Sequence, residues 1–142
     1  MSIHRTPKSG LFLMELSFII LFFAITSAVC VNLFVNAQLT SVAGKDLNNA
    51  VMEVQTAAES VKHAKGDQKL LAEMLGAQLN EGALTVSYDQ DWKPTMEGGQ
   101  EARYQLSIVQ SPITDNGMLY TEVAVYKGNT LVYRVNIGSY VG

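Results

Sequence analysis

The sequence predicts an α+β fold in two layers, one long N-terminal helix packed on a small antiparallel sheet of about four strands. Three observations carry this. Residues 16–35 form an almost unbroken apolar run. From Gln38 onward apolar residues recur at spacings of three and four, the period of a helix with one buried face. After Gly82 the period drops to two, the mark of strands.

The apolar run from Leu16 to Val35 is interrupted only by Ser17, Thr26, Ser27 and Asn32. A helix crossing a bilayer needs about twenty mostly apolar residues, and this run provides them. Hydroxyls are tolerated because they bond back to the helix backbone. Glu15 is different, since an ionised carboxylate in hydrocarbon costs roughly 2.5 kcal/mol or more unless it is paired. Arg5 and Lys8 precede the run, and the first charge after it is Lys45. The positive-inside bias therefore puts the N-terminus in the cytoplasm and the bulk of the chain outside.

The helical pattern then continues without a break. Leu39, Ala43, Leu47, Val51, Val54, Ala58 and Val61 make the expected buried stripe, widened by Ala50, Ala57 and Ala64. Asn48, Glu53, Gln55, Glu59 and Lys62 are expected to face away. Gly44 costs about 1 kcal/mol against Ala and gives a place to bend. His63 and Lys65 suit a last turn, and Gly66 is the stop. Pro7 and Gly10 set the helix start at Leu11, so one helix from Leu11 to Lys65 is on the order of 80 Å long. Asp67 caps a short second helix over 68–75, ended by Gly76.

Alternating apolar residues place strands at 83–88, 102–109, 118–126 and 130–137. Asp115-Asn116-Gly117 and Gly128-Asn129 are turn signals, and local turns between short strands predict an antiparallel meander. Its apolar face is expected to cover the stripe of the long helix.

At 142 residues the chain has room for one small domain beyond the apolar run. Beyond Asn36 it carries eight Lys plus Arg against twelve Asp plus Glu, a balance that argues against direct nucleic-acid binding. Cys30, the single cysteine, lies inside the apolar run and leaves the rest of the chain without an intramolecular disulfide. No catalytic constellation is visible. His4 and His63 lack partners at ligand spacing. Asp89-Gln90-Asp91 starts like a calcium loop but lacks the closing Glu, and Gly98-Gly99 has neither the spacing nor the following helix of a phosphate cradle. Trp92 is expected to be pinned against its own domain, and the tyrosines to straddle core and surface. These readings predict no enzyme, no metal and no cofactor.

A basic leader, Gly10-Leu11-Phe12-Leu13-Met14-Glu15 and the apolar helix that follows resemble the N-terminus of a type IV prepilin or type II secretion pseudopilin. The resemblance is close over about the first quarter of the chain and extends to the rest only in layout. It implies a pilin-like fold and a leader of residues 1–10 cut by a prepilin peptidase between Gly10 and Leu11. N-methylation of Leu11 would follow, with residues 11–37 as the transmembrane half of the helix and residues 38–142 as the extracytoplasmic domain. It further implies that Glu15 meets the new terminal amine of a neighbouring subunit and sets register in the filament. Partners implied are other pilin or pseudopilin subunits, membrane lipid, an assembly ATPase and a membrane platform protein. Leu11 stands where Phe is commoner, and no Pro interrupts the membrane half, a departure that points to a minor subunit. Two other readings accompany it. One is a single-span anchor presenting a binding domain that is neither processed nor assembled. The other is a domain released after Ala37, beginning at Gln38.

Overall fold

The computed structural model describes residues 8–96 and 98–142. It is α+β: α1 (Lys8–Ala64), α2 (Gln68–Leu75), then β1 (Gln78–Asn80), β2 (Ala83–Tyr88), β3 (Pro94–Thr95), β4 (Tyr104–Gln110), β5 (Met118–Lys127) and β6 (Thr130–Tyr140). The chain divides into two units, residues 1–43 and residues 44–142. The first contains the N-terminal part of α1, whose side chains are almost all exposed. Its most apolar 18 residues have a mean hydropathy of 2.6 with none buried, so α1 is long and apolar enough to cross a bilayer.

The helix begins earlier than Leu11. Lys8, Ser9 and Gly10 are already helical, because one glycine costs only about 1 kcal/mol and the residues that follow are strong helix formers. His4, Arg5 and Pro7, of the expected leader, lie outside the described residues.

In the second unit the sheet is antiparallel, in the order β1-β2-β4-β5-β6, with β3 also paired to β2. It has six strands rather than four. The two additional ones are short: β1 pairs Gln78 with Thr85, and β3 pairs Pro94 with Tyr88. Because β4 takes one whole edge of β2, from Ala83↔Val109 to Tyr88↔Tyr104, β1 and β3 share the other edge in succession. Gln78-Leu79-Asn80, all exposed, and a Pro-Thr pair are too short to show an alternation of apolar residues, and Pro is confined to such edges because it has no N–H to donate. The longer strands form the expected meander, with the hairpin turn at Gly128-Asn129 closing Lys127 on Thr130. β4 begins at Tyr104 rather than Ala102, and β6 runs on to Tyr140.

The core lies between the C-terminal part of α1 and one face of the sheet. Ala50, Val54, Ala57, Val61 and Ala64 of α1 meet Leu84, Val86, Leu106, Ile108, Val123 and Val125, with Leu71 of α2 closing one side. The buried stripe is rotated from the expected one. Leu39 and Leu47 are exposed and Val51 is only half-buried, while Ala50, Ala57 and Ala64 are at the centre. Seven residues, close to two turns, separate those alanines. A helix lying flat on a sheet needs small residues along its line of closest approach, so side-chain size decided the face where hydrophobicity favoured Leu and Val. Asp67 does cap α2, accepting from the amides of Lys69 and Leu70, and Gly76 ends it at φ 61°.

Candidate functional site

Two groups of residues have chemistry that their surroundings make consequential. The first lies on the N-terminal part of α1. Gly10 and Leu11 fall inside the helix, and Glu15 follows Leu11 by four residues, one turn on. Leu11, Met14, Glu15, Phe18, Ile19 and Phe22 border one shallow recess along a single face. Glu15 is the one ionisable side chain there. Neighbouring Leu11, Phe18 and Phe22 are all more than 60% exposed. Further along, Ser17 donates to the carbonyl of Leu13 (2.8 Å) and Thr26 to that of Phe22 (2.9 Å), so those hydroxyls are satisfied within the helix. Glu15 has no such partner among the described residues in the first unit. Cys30 is exposed and unbridged.

The second group joins α1 to the sheet. Asp46, Glu53 and Ser60 recur every seven residues beside the alanine row, and Asp46 and Ser60 are buried. Asp46 accepts hydrogen bonds from the Tyr104 hydroxyl (2.7 Å) and from the Lys127 ammonium (2.8 Å). Glu53, expected to face away, is half-buried and accepts from the Tyr88 hydroxyl (2.9 Å). Tyr88 and Tyr104 are directly opposite on β2 and β4, so two adjacent phenols reach two carboxylates two turns apart on one helix.

Electrostatics follow the geometry. Burial pushes the Asp46 carboxyl up, but the hydrogen bonds from Lys127 and Tyr104 and the charge of Lys127 outweigh it, leaving its pKa below the ordinary value. Burial and the bond to Asp46 raise the Tyr104 phenol, and burial and the bond to Glu53 raise that of Tyr88. Lys127 is raised by its bond to Asp46.

Trp92 closes this group from the sheet side. The turn from Asp89 to Lys93 holds together through the Asp89 carboxylate, which accepts from the amides of Asp91 and Lys93, both at 2.9 Å. Trp92 occupies the left-handed position of that turn, φ 61°, where a side chain costs about 1 kcal/mol or more. Its indole stacks on Tyr104 with ring centroids 4.0 Å apart and lies 5.9 Å from Tyr88, a gain that offsets the strain. The indole is thus pinned to its own domain. The Asp89-Gln90-Asp91 sequence serves the turn, and among the described residues no cluster of His, Cys, Asp or Glu is placed to hold a metal ion.

Asp46, Glu53 and Lys127 had no individual signal in the sequence. The available clue was the seven-residue recurrence of Asp46, Glu53 and Ser60 in step with Ala50, Ala57 and Ala64. The arrangement fastens a helix to a sheet. Compared with family models, with curated proteins and with solved structures, the chain matches none.

Proposed function

We propose that this chain is a membrane-inserted, prepilin-like subunit, made with a leader that ends at Gly10 and assembled with other such subunits into a pilus or pseudopilus, as a minor component. The observation that carries this reading is Glu15. It sits on an otherwise apolar, uncovered face of α1, one turn from the residue that cleavage would turn into a free amine. A lone carboxylate there is costly. A new ammonium on Leu11 of an adjoining subunit neutralises it, and in a medium of low dielectric constant their attraction is strong. The penalty for an unpaired acid then favours one longitudinal register of packed helices.

On this reading the apolar part of α1 lies in the membrane before assembly, with the N-terminus cytoplasmic and the sheet domain outside. The chain is a substrate of a prepilin peptidase and has no enzymatic activity of its own. An assembly ATPase and a membrane platform protein act on it indirectly.

Co-expression with a prepilin peptidase tests this. The expected product lacks residues 1–10 and carries an N-methylated Leu11, read by mass spectrometry of the intact chain. A full-length mass in the presence of active peptidase overturns the reading in favour of an unprocessed anchor, and a chain beginning at Gln38 favours a released domain. Glu15→Ala is expected to insert normally and to fail in filament incorporation.

A further inference from the structure

The part of α1 between its apolar run and its packed part has no tertiary support. Every side chain from Gln38 to Lys45 is exposed, and burial begins at Asp46. Its composition is poor for a helix: Thr40, Ser41, Val42 and Gly44 all rank below Ala and Leu in helix propensity. Gly44 has no packing reason to be glycine, since a Cβ built there would meet nothing within 4 Å, and its φ is not left-handed. What glycine does at such a position is weaken the helix. Thr40 adds to this by bonding back to the carbonyl of Asn36 (2.9 Å), an arrangement that loosens and bends helices.

The two ends are held differently. Hydrocarbon forbids opening of a helix, because freed N–H and C=O groups find no partner there. A span of about 30 Å takes roughly twenty residues at 1.5 Å each, the length of the apolar run from Leu16 to Val35. Gln38–Lys45 then lies in water, which hydrogen-bonds an opened backbone. At the other end Asp46 is fixed by Tyr104 and Lys127, and Ala50 is fully buried.

We infer that Gln38–Lys45 is a hinge in α1, a length of helix that opens locally in water between a membrane-locked run and the Asp46 latch. It rests on the membrane-inserted part of the reading above and is independent of leader cleavage. Opening uncouples the sheet domain from the orientation of the spanning helix without unfolding either.

Hydrogen–deuterium exchange of the full chain in lipid nanodiscs, resolved to single segments by mass spectrometry, tests this. Residues 38–45 are expected to exchange about 100-fold faster than residues 50–61, the range between local and global opening being wide. Gly44→Ala should slow exchange in residues 38–45 about fivefold. Asp46→Asn should extend fast exchange toward Ala50. Residues 38–45 as protected as 50–61, or unaltered by Gly44→Ala, overturn the hinge while protection of residues 16–35 keeps the membrane reading intact. Rapid exchange within 16–35 overturns the membrane reading and the hinge together.

Discussion

Leu106 and Leu21 are the same side chain under opposite conditions. Leu106 is 1% exposed between α1 and the sheet, and Leu21 is 57% exposed on the N-terminal part of the same helix. The residues after Gly44 build their core from small and medium side chains fitted to one another, with alanines along the line of closest approach. Earlier residues place their largest side chains outward, so their partner is a solvent or another molecule. One helix therefore obeys two rules, interior packing at one end and burial by its surroundings at the other. Hydropathy alone separates the two only by the length of the apolar run.

The sharpest way to break this comparison is to make the same truncation at both places. Leu106→Ala should destabilise the sheet domain by about 2–5 kcal/mol, through lost burial and the cavity left behind. Leu21→Ala should change that domain's stability by less than about 0.5 kcal/mol, as substitutions outside a packed core do. Chemical denaturation of both variants in detergent, followed by the tryptophan signal, checks the pair. Equal effects would mean that Leu21 belongs to the domain's cooperative unit.

A smaller effect is expected at the latch. Asp46→Asn keeps an acceptor for Tyr104 but removes the charge facing Lys127, and should cost about 1–2 kcal/mol, since hydrogen bonds to charged groups are stronger than neutral ones. Its pH signature is more diagnostic. The folded Asp46 has a lowered pKa, so its contribution is complete above its unfolded value of about 4 and is lost as pH falls through the folded value. Tyr104 and Lys127 are raised, so their contribution is complete below about 10 and is lost as pH rises through their folded values. Thermal melts of the wild type should therefore fall off on both sides of that window, and Asp46→Asn should flatten the acid limb. An acid limb unaltered by the substitution would assign it to other carboxylates.

The smallest expected effect is a gain. Thr121 is 1% exposed on the core face of β5, and its hydroxyl has no hydrogen-bond partner among the described residues. An unsatisfied buried hydroxyl is costly, so Thr121→Val should stabilise the domain by about 1 kcal/mol, a rise in Tm of roughly 4 °C for a domain of this size. A loss on the same substitution would indicate a bridging water at that hydroxyl.

Much of this architecture is legible in the residues. The apolar run, the caps at Asp67 and Gly76 and the turn at Gly128-Asn129 depend on local chemistry, and period-two alternation locates the four longer strands. What the sequence hides is decided at a distance. The orientation of α1 about its own axis follows from how closely a helix approaches a sheet, which favours Ala57 over Val51. β1 and β3 exist because β2 has an edge left to fill, and neither carries a pattern of its own. Asp46 and Glu53 look like solvent-facing charges until Tyr104 and Tyr88 arrive from residues more than thirty positions away. For Gly10, Leu11 and Glu15 the legible part is their spacing, and the partner proposed for Glu15 would lie outside the chain.

The chain contains one tryptophan, and it stacks on the phenol that grips the helix. Its fluorescence is consequently an intrinsic gauge of whether helix and sheet are joined. In the assembly proposed above, a change in emission on subunit association would show the domain adjusting its own grip, and steady emission would show it travelling as a rigid passenger, with no label attached to the chain.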